Sequence, residues 1–154
     1  MIEPLLTLLI GIVLILAIIA ANGYFVAQEF AFMSVDRTRL AARAAEGDRA
    51  AARALTVTAR TTFMLSGAQL GITVTGLLVG FVAEPLVGES LGLLLGSTGI
   101  DPAISITVGT VLTLVLAAIV QMIAGELYPK NLAIAAPERL SRGLARSTLL
   151  YMTV

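Results

Sequence analysis

The chain has 154 residues, 58% of them hydrophobic and 13% charged, and its mean hydropathy is +0.97. That balance excludes an ordinary soluble domain and points to a lipid bilayer. Ten basic and ten acidic residues cancel, and cysteine and histidine are absent, so disulfides, thiolate sites and imidazole ligands are excluded and any metal must be held by oxygen.

Met1-Ile2-Glu3-Pro4 lacks the positive region of a signal peptide, and the apolar stretch Leu5–Ala21 is longer than a signal core. It is read as the first spanning helix, about 5–33, retained in the mature protein. Two further segments reach the roughly 20 apolar residues that a bilayer requires: about 61–83 and about 103–126. Between the first two lies an alanine- and arginine-rich segment, 36–60, carrying Arg37, Arg39, Arg43, Arg49, Arg53 and Arg60. Gly47-Asp48 divides it, with Asp48 placed as an N-cap, so two short helices are expected.

Residues 84–101 are read as a loop bearing Glu84, Glu89 and Asp101 and no basic residue, whereas Lys130, Arg139, Arg142 and Arg146 follow the third span. The positive-inside rule then places 36–60 and 130–146 in the cytoplasm and 84–101 outside. The fold class expected is all-α integral membrane: three transmembrane helices, N-terminus outside and C-terminus cytoplasmic, in the cell membrane. Pro137 suits a first helical turn, and Arg139, Arg142 and Arg146 share a face apart from Leu140 and Leu144. An amphipathic helix in the cytoplasmic interface, about 137–147, follows. Leu149-Leu150-Tyr151-Met152 turns apolar again where the chain stops, as expected of an excised membrane domain.

The most informative residue is Glu126, at the end of a run (Ala103–Ala124) with no charge. An acid there is costly unless it faces protein, water or a cation. Pro129 is expected to stop the helix and leave carbonyls unpaired beside the acid, the chemistry of a hard-cation site. The alternative is an interfacial acid paired with Lys130 four residues on. Glu29 is a second acid near a span end, and Asn22, seven residues earlier, shares its helix face, with Gln28 adjacent. Its alternative is a helix end near the headgroups. Ser34, one turn beyond Phe30, is a weaker candidate. In the second span Gln69 presents an amide that needs a partner, with Thr73 one turn on; Gly67/Gly71 and Gly76/Gly80 suggest close helix packing. Gln121 is a further polar residue of the third span.

The arginine run lacks interleaved aromatics and follows a membrane span, so anionic lipid, not nucleic acid, is the partner expected. No phosphate loop, nucleophile–base pair or metalloprotease motif occurs, and no enzyme activity is expected.

Three elements, Asn22-Gly23-x-Phe25-x-Ala27-x-Glu29-Phe30-Ala31, Gln69-Leu70-Gly71-Ile72-Thr73 and Gly125-Glu126-Leu127-x-Pro129-Lys130 with Pro137-Glu138, resemble the membrane domain of the CorC/CNNM (cyclin M-like) magnesium transporter family. The resemblance covers nearly the whole chain in the right order. It implies a three-span domain that forms a homodimer and leads into cytoplasmic CBS modules and a C-terminal domain that this chain lacks. It also implies export of Mg²⁺, with Co²⁺ or another divalent cation as alternatives. The family's cation site uses the acid of the Gly-Glu-x-x-Pro motif, polar groups of the first two spans and backbone oxygens. Glu126 matches directly, flanked by Gly125 and Pro129.

The chain departs from the family where many members carry Ser-Gly-Ser-Glu-Thr, here Val26-Ala27-Gln28-Glu29-Phe30. An asparagine of the second span is likewise replaced near Ala68-Gln69. The candidate metal-binding set is therefore Glu126, Gly125, Asn22, Glu29, Gln69, Ser34 and Thr73, with Asn22 and Gln69 as substitutes for the missing oxygens. Two alternatives to Mg²⁺ transport remain open. One is a membrane anchor or sensor for CBS modules, without transport. The other is an exporter of an organic polycation such as a polyamine, using Glu29 and Glu126 with Tyr24, Phe25 and Phe30.

Overall fold

The computed structural model describes residues 2–97 and 99–153, and among them it is helical with short connections. In chain order the elements are α1 (Ile2–Ser34), α2 (Arg37–Ala45), α3 (Arg49–Thr58), α4 (Thr61–Ala83), a π-helical turn Glu84–Gly88, α5 (Glu89–Gly96), α6 (Pro102–Val120), a π-helical stretch Gln121–Leu127, α7 (Tyr128–Ala135) and α8 (Pro137–Met152). Three continuous helical runs are long and apolar enough to cross a bilayer: Glu3–Ser34, Thr61–Gly96 and Pro102–Ala135. At the α-helical rise they measure about 48–54 Å, against about 30 Å of hydrocarbon.

Three expectations change here. Residues 84–96, read as loop, are helical, and the turn that reverses the chain begins only after Gly96. Pro85 ends neither run nor ladder, because the wider π turn accommodates its missing N–H. Likewise the third helix does not stop at Pro129. It passes through the π stretch and continues to Ala135, with Pro129 in the first turn of α7, where an N–H is least missed. The amphipathic helix, expected to end near 147, runs to Met152.

The chain forms two compact units. The first comprises residues up to Asn22 with Val74–Gly125. Its helices meet through small residues, as they must where lipid tails offer no hydrophobic drive. A Cβ on Gly109 would lie 2.7 Å from the backbone nitrogen of Gly92 and 2.8 Å from the carbonyl oxygen of Gly88. Ser105 and Thr113 lie buried one turn to either side, so α5 and α6 approach backbone to backbone. Ile15, Ile19, Val79, Ala83 and Ala117 form the interior. The outer surface is apolar, with Phe81 at 79% and Leu77 at 71% exposed, the inverse of a soluble protein.

The second unit comprises Gly23–Thr73 and Glu126–Val154. Asp36 and Asp48 cap α2 and α3 by accepting two backbone N–H bonds each. Gly47, at φ +94°, makes the turn between them, a conformation that side chains disfavour. Leu40, Ala51, Ala54, Val57, Met64, Ala68, Ala145 and Met152 close a core beneath α8. Helix α8 is also pinned to α1 by Tyr24 Oη–Ser147 Oγ at 2.7 Å and by Gln28 Nε2 donating to Thr148 Oγ1 at 2.7 Å. Gly67 and Gly71, expected to seat a helix backbone, instead seat the rings of Tyr151 and Phe25, and Gly80 faces open space. Burial pushes the Tyr151 hydroxyl pKa up, partly offset by its hydrogen bond with Gln28.

The charges divide the same way. All ten basic residues lie in the second unit with six acids, while the first holds Glu3, Glu84, Glu89 and Asp101 and no base.

Candidate functional site

Within the first unit, three helices converge on one amide. Asn22, fully buried on α1, donates from Nδ2 to the carbonyl oxygen of Gly125 at 2.9 Å. Its Oδ1 accepts the hydroxyl of Thr75, on α4, at 2.7 Å. The reason lies in the sequence of the third helix. In an α ladder the carbonyl of Gly125 would receive the N–H of residue 129, which is proline and has none. A buried carbonyl left without a partner costs about 1–3 kcal/mol, and the Asn22 amide donates to this one. Gly125 suits the approach, because a Cβ there would lie a tight 3.2 Å from Asn22 Nδ2 and 3.4 Å from Ile19 Cγ2. Gln121 adjoins the cluster: its Cγ lies 3.5 Å from that same Cβ position, and its Nε2 lies 3.4 Å from where a Cβ on Gly76 would sit. A polar centre made of Asn22, Thr75, Gln121 and a proline-freed carbonyl thus sits in helices built to span lipid.

Of the seven candidate metal-binding residues, Asn22 and Gly125 are brought into direct hydrogen bonding. Glu126 follows Gly125 in the chain and is exposed; Glu29 is half-buried. Among the described residues no ion pair joins Glu126 to Lys130, whose ammonium lies 4.7 Å from the centroid of the Phe30 ring. Gln69 and Ser34 are exposed, and Thr73, also exposed, donates its hydroxyl to the Gln69 carbonyl of its own helix at 2.9 Å. No group of three or more acidic side chains is gathered among the described residues. A cation held here would therefore meet few charges and mostly neutral oxygens.

Sequence reasoning passed over Thr75. Helical spacing from Gln69 favoured Thr73, but Thr75, the second residue after it, points into the unit instead. The Gly88-x₃-Gly92-x₃-Gly96 and Ser105-x₃-Gly109-x₃-Thr113 stripes were equally legible as small-residue seams.

An all-helical chain with three bilayer-length helices and a buried amide–carbonyl centre defines a multi-pass membrane domain. Residues 12–154 match the family model of the cyclin M transmembrane N-terminal domain. Among similar proteins, MT1889 of Mycobacterium tuberculosis (strain CDC 1551 / Oshkosh) is 39% identical over 142 residues, covering 92% of this chain and 40% of that protein. UPF0053 protein MT1890 of the same strain is 39% identical, covering 91% of this chain and 31% of that protein. UPF0053 protein YhdT of Bacillus subtilis (strain 168) is 33% identical, covering 92% and 31%. The chain belongs to the CorC/CNNM family, through its cyclin M transmembrane domain, a family generally linked to divalent-cation transport. It spans 40% or less of the length of these relatives.

Proposed function

We propose that this chain is the membrane domain of a Mg²⁺ transporter that works as an exporter, with Co²⁺ or another divalent cation as competing cargo. The observation that carries the reading is the Gly125 carbonyl. Pro129 removes its helical partner, Asn22 holds it, and a carboxylate, Glu126, is the next residue. Carbonyl, amide and carboxylate oxygens are the ligands hard cations take. Mg²⁺ gives up its water reluctantly, so one carboxylate with neutral oxygens suits partial dehydration and ready release better than tight capture. Gly125 and Glu126 are the ligands expected first. Glu29, Gln69, Ser34 and Thr73 complete the candidate set by their positions in the first two spans.

The charge pattern supports cytoplasmic segments 36–60 and 130–146 and an outer segment 84–101, by the positive-inside rule. In the same reading the protein acts as a homodimer in the cell membrane and continues, in its full length, into CBS modules.

The polyamine reading finds its aromatic groups engaged: Phe25 packs on Gly71, Tyr24 is bonded to Ser147 and Phe30 carries Lys130. Mg²⁺ is the better fit.

The test is Mg²⁺ flux into proteoliposomes holding the wild type or Glu126→Gln. Loss of flux in the variant is the expected result; an unchanged rate removes the proposal. A wild type that binds no Mg²⁺ by calorimetry would leave the anchor or sensor reading.

A further inference from the structure

We infer that Thr75 and Asn22 act as a positioning pair, holding the peptide link between Gly125 and Glu126 in the orientation the cation requires. This rests on the transport reading above.

An asparagine amide has two ends, one donating and one accepting, and a buried amide can face either way unless a neighbour discriminates. Here the discrimination comes from the Gly125 carbonyl, which can only accept and so takes Nδ2, at 2.9 Å. The Thr75 hydroxyl then holds the other end, donating to Oδ1 at 2.7 Å. With the amide reversed, Oδ1 would oppose that carbonyl, two acceptors with no proton between them. Thr75 is 7% exposed and Asn22 0%, so no solvent competes for these bonds. The Thr75 hydroxyl reaches from α4 to α1.

The consequence reaches Glu126 through covalent geometry. The Gly125 carbonyl belongs to the planar peptide unit that carries the N–H and Cα of Glu126. That unit lies in the π-helical stretch Gln121–Leu127, and Pro129 has no N–H to offer its carbonyl. The Asn22 bond adds a side-chain hold on it. Thr75 is therefore a positioning residue, two bonds removed from the cation and outside its ligand shell.

The experiment compares Thr75→Val, of nearly equal shape but no hydroxyl, with Thr75→Ser, which restores the donor. Two readouts are taken on reconstituted protein: hydrogen–deuterium exchange over 121–127, and the Mg²⁺ dependence of flux. We expect Thr75→Val to raise exchange over that segment several-fold and the half-saturating Mg²⁺ concentration about tenfold, the scale of one buried hydrogen bond, with the maximal rate within about twofold. Thr75→Ser should stay within about twofold of wild type in both. Unchanged exchange in Thr75→Val overturns the inference whatever the flux. Raised exchange with wild-type Mg²⁺ dependence overturns it too, while leaving transport itself intact. A loss that Thr75→Ser does not recover reduces Thr75 to a packing residue. If the wild type moves no divalent cation, the function proposed above falls and the pair loses its role with it.

Discussion

Arg142 Nη2 lies 2.6 Å from Oδ2 of Asp48, and the other oxygen of that carboxylate caps α3 through the N–H groups of Ala50 and Ala51. One side chain thus starts a helix and ties α8 to it. Asp48→Ala should lower the melting temperature of the reconstituted protein by about 3–8 °C, the scale of a lost cap. Asp48→Asn keeps the cap and should lose less. Equal losses in the two variants would assign the effect to the ion pair.

The same carboxylate sets a pH dependence. The Ala51 N–H holds its pKa below the usual range; burial opposes this, while the Ala50 N–H and the charges of Arg142 and Arg43 add to it. A depressed folded pKa means the unfolded chain binds the proton more readily. The stabilisation is complete above the unfolded value, about 3.9, and is lost as pH falls through the folded one. Melting curves from pH 7 down to pH 3 should therefore converge for wild type and Asp48→Asn at the acid end.

The α5–α6 seam makes a third prediction. Gly109→Ala puts a methyl group against the backbone of Gly92 and Gly88, which cannot swing away. A cost of about 1–3 kcal/mol is expected. Gly80→Ala, with nothing within reach, should gain up to about 1 kcal/mol from helix propensity. Thermal unfolding in nanodiscs measures both, and a stabilised Gly109→Ala would mean the seam is loose.

Asn22→Leu removes the donor to Gly125 and the acceptor of Thr75 together. Leaving the carbonyl unmet should cost about 1–3 kcal/mol. Denaturant titration provides the check; a neutral substitution would show that another donor reaches Gly125.

Orientation is testable directly because the chain has no cysteine. Ser97→Cys and Ala45→Cys place single thiols at exposed positions of the first and second units. An impermeant maleimide added to whole cells should label the first and spare the second. The opposite pattern reverses the topology proposed here.

Much of the fold is legible in the sequence. Runs of apolar residues longer than a bilayer is thick have one stable solution, because in hydrocarbon the backbone must satisfy itself as a helix. Arginine clustering and the Asp48 cap depended on nearest neighbours alone, and so could be read from order in the chain. The family signature also fell in contiguous residues. Where reading failed, the cause was distance. Pro129 looked like a helix end because a proline removes a local bond; whether a π stretch absorbs the loss depends on what packs alongside.

The sequence by itself determined three membrane helices, a basic end and an acidic one, since hydrophobicity and charge act residue by residue. Only the tertiary structure decided that Asn22 donates to the Gly125 carbonyl, across 103 positions, and that Thr75 rather than Thr73 turns inward. A hydrogen bond between distant residues depends on helix rotation and register, and side-chain packing along the whole length of neighbouring helices sets both.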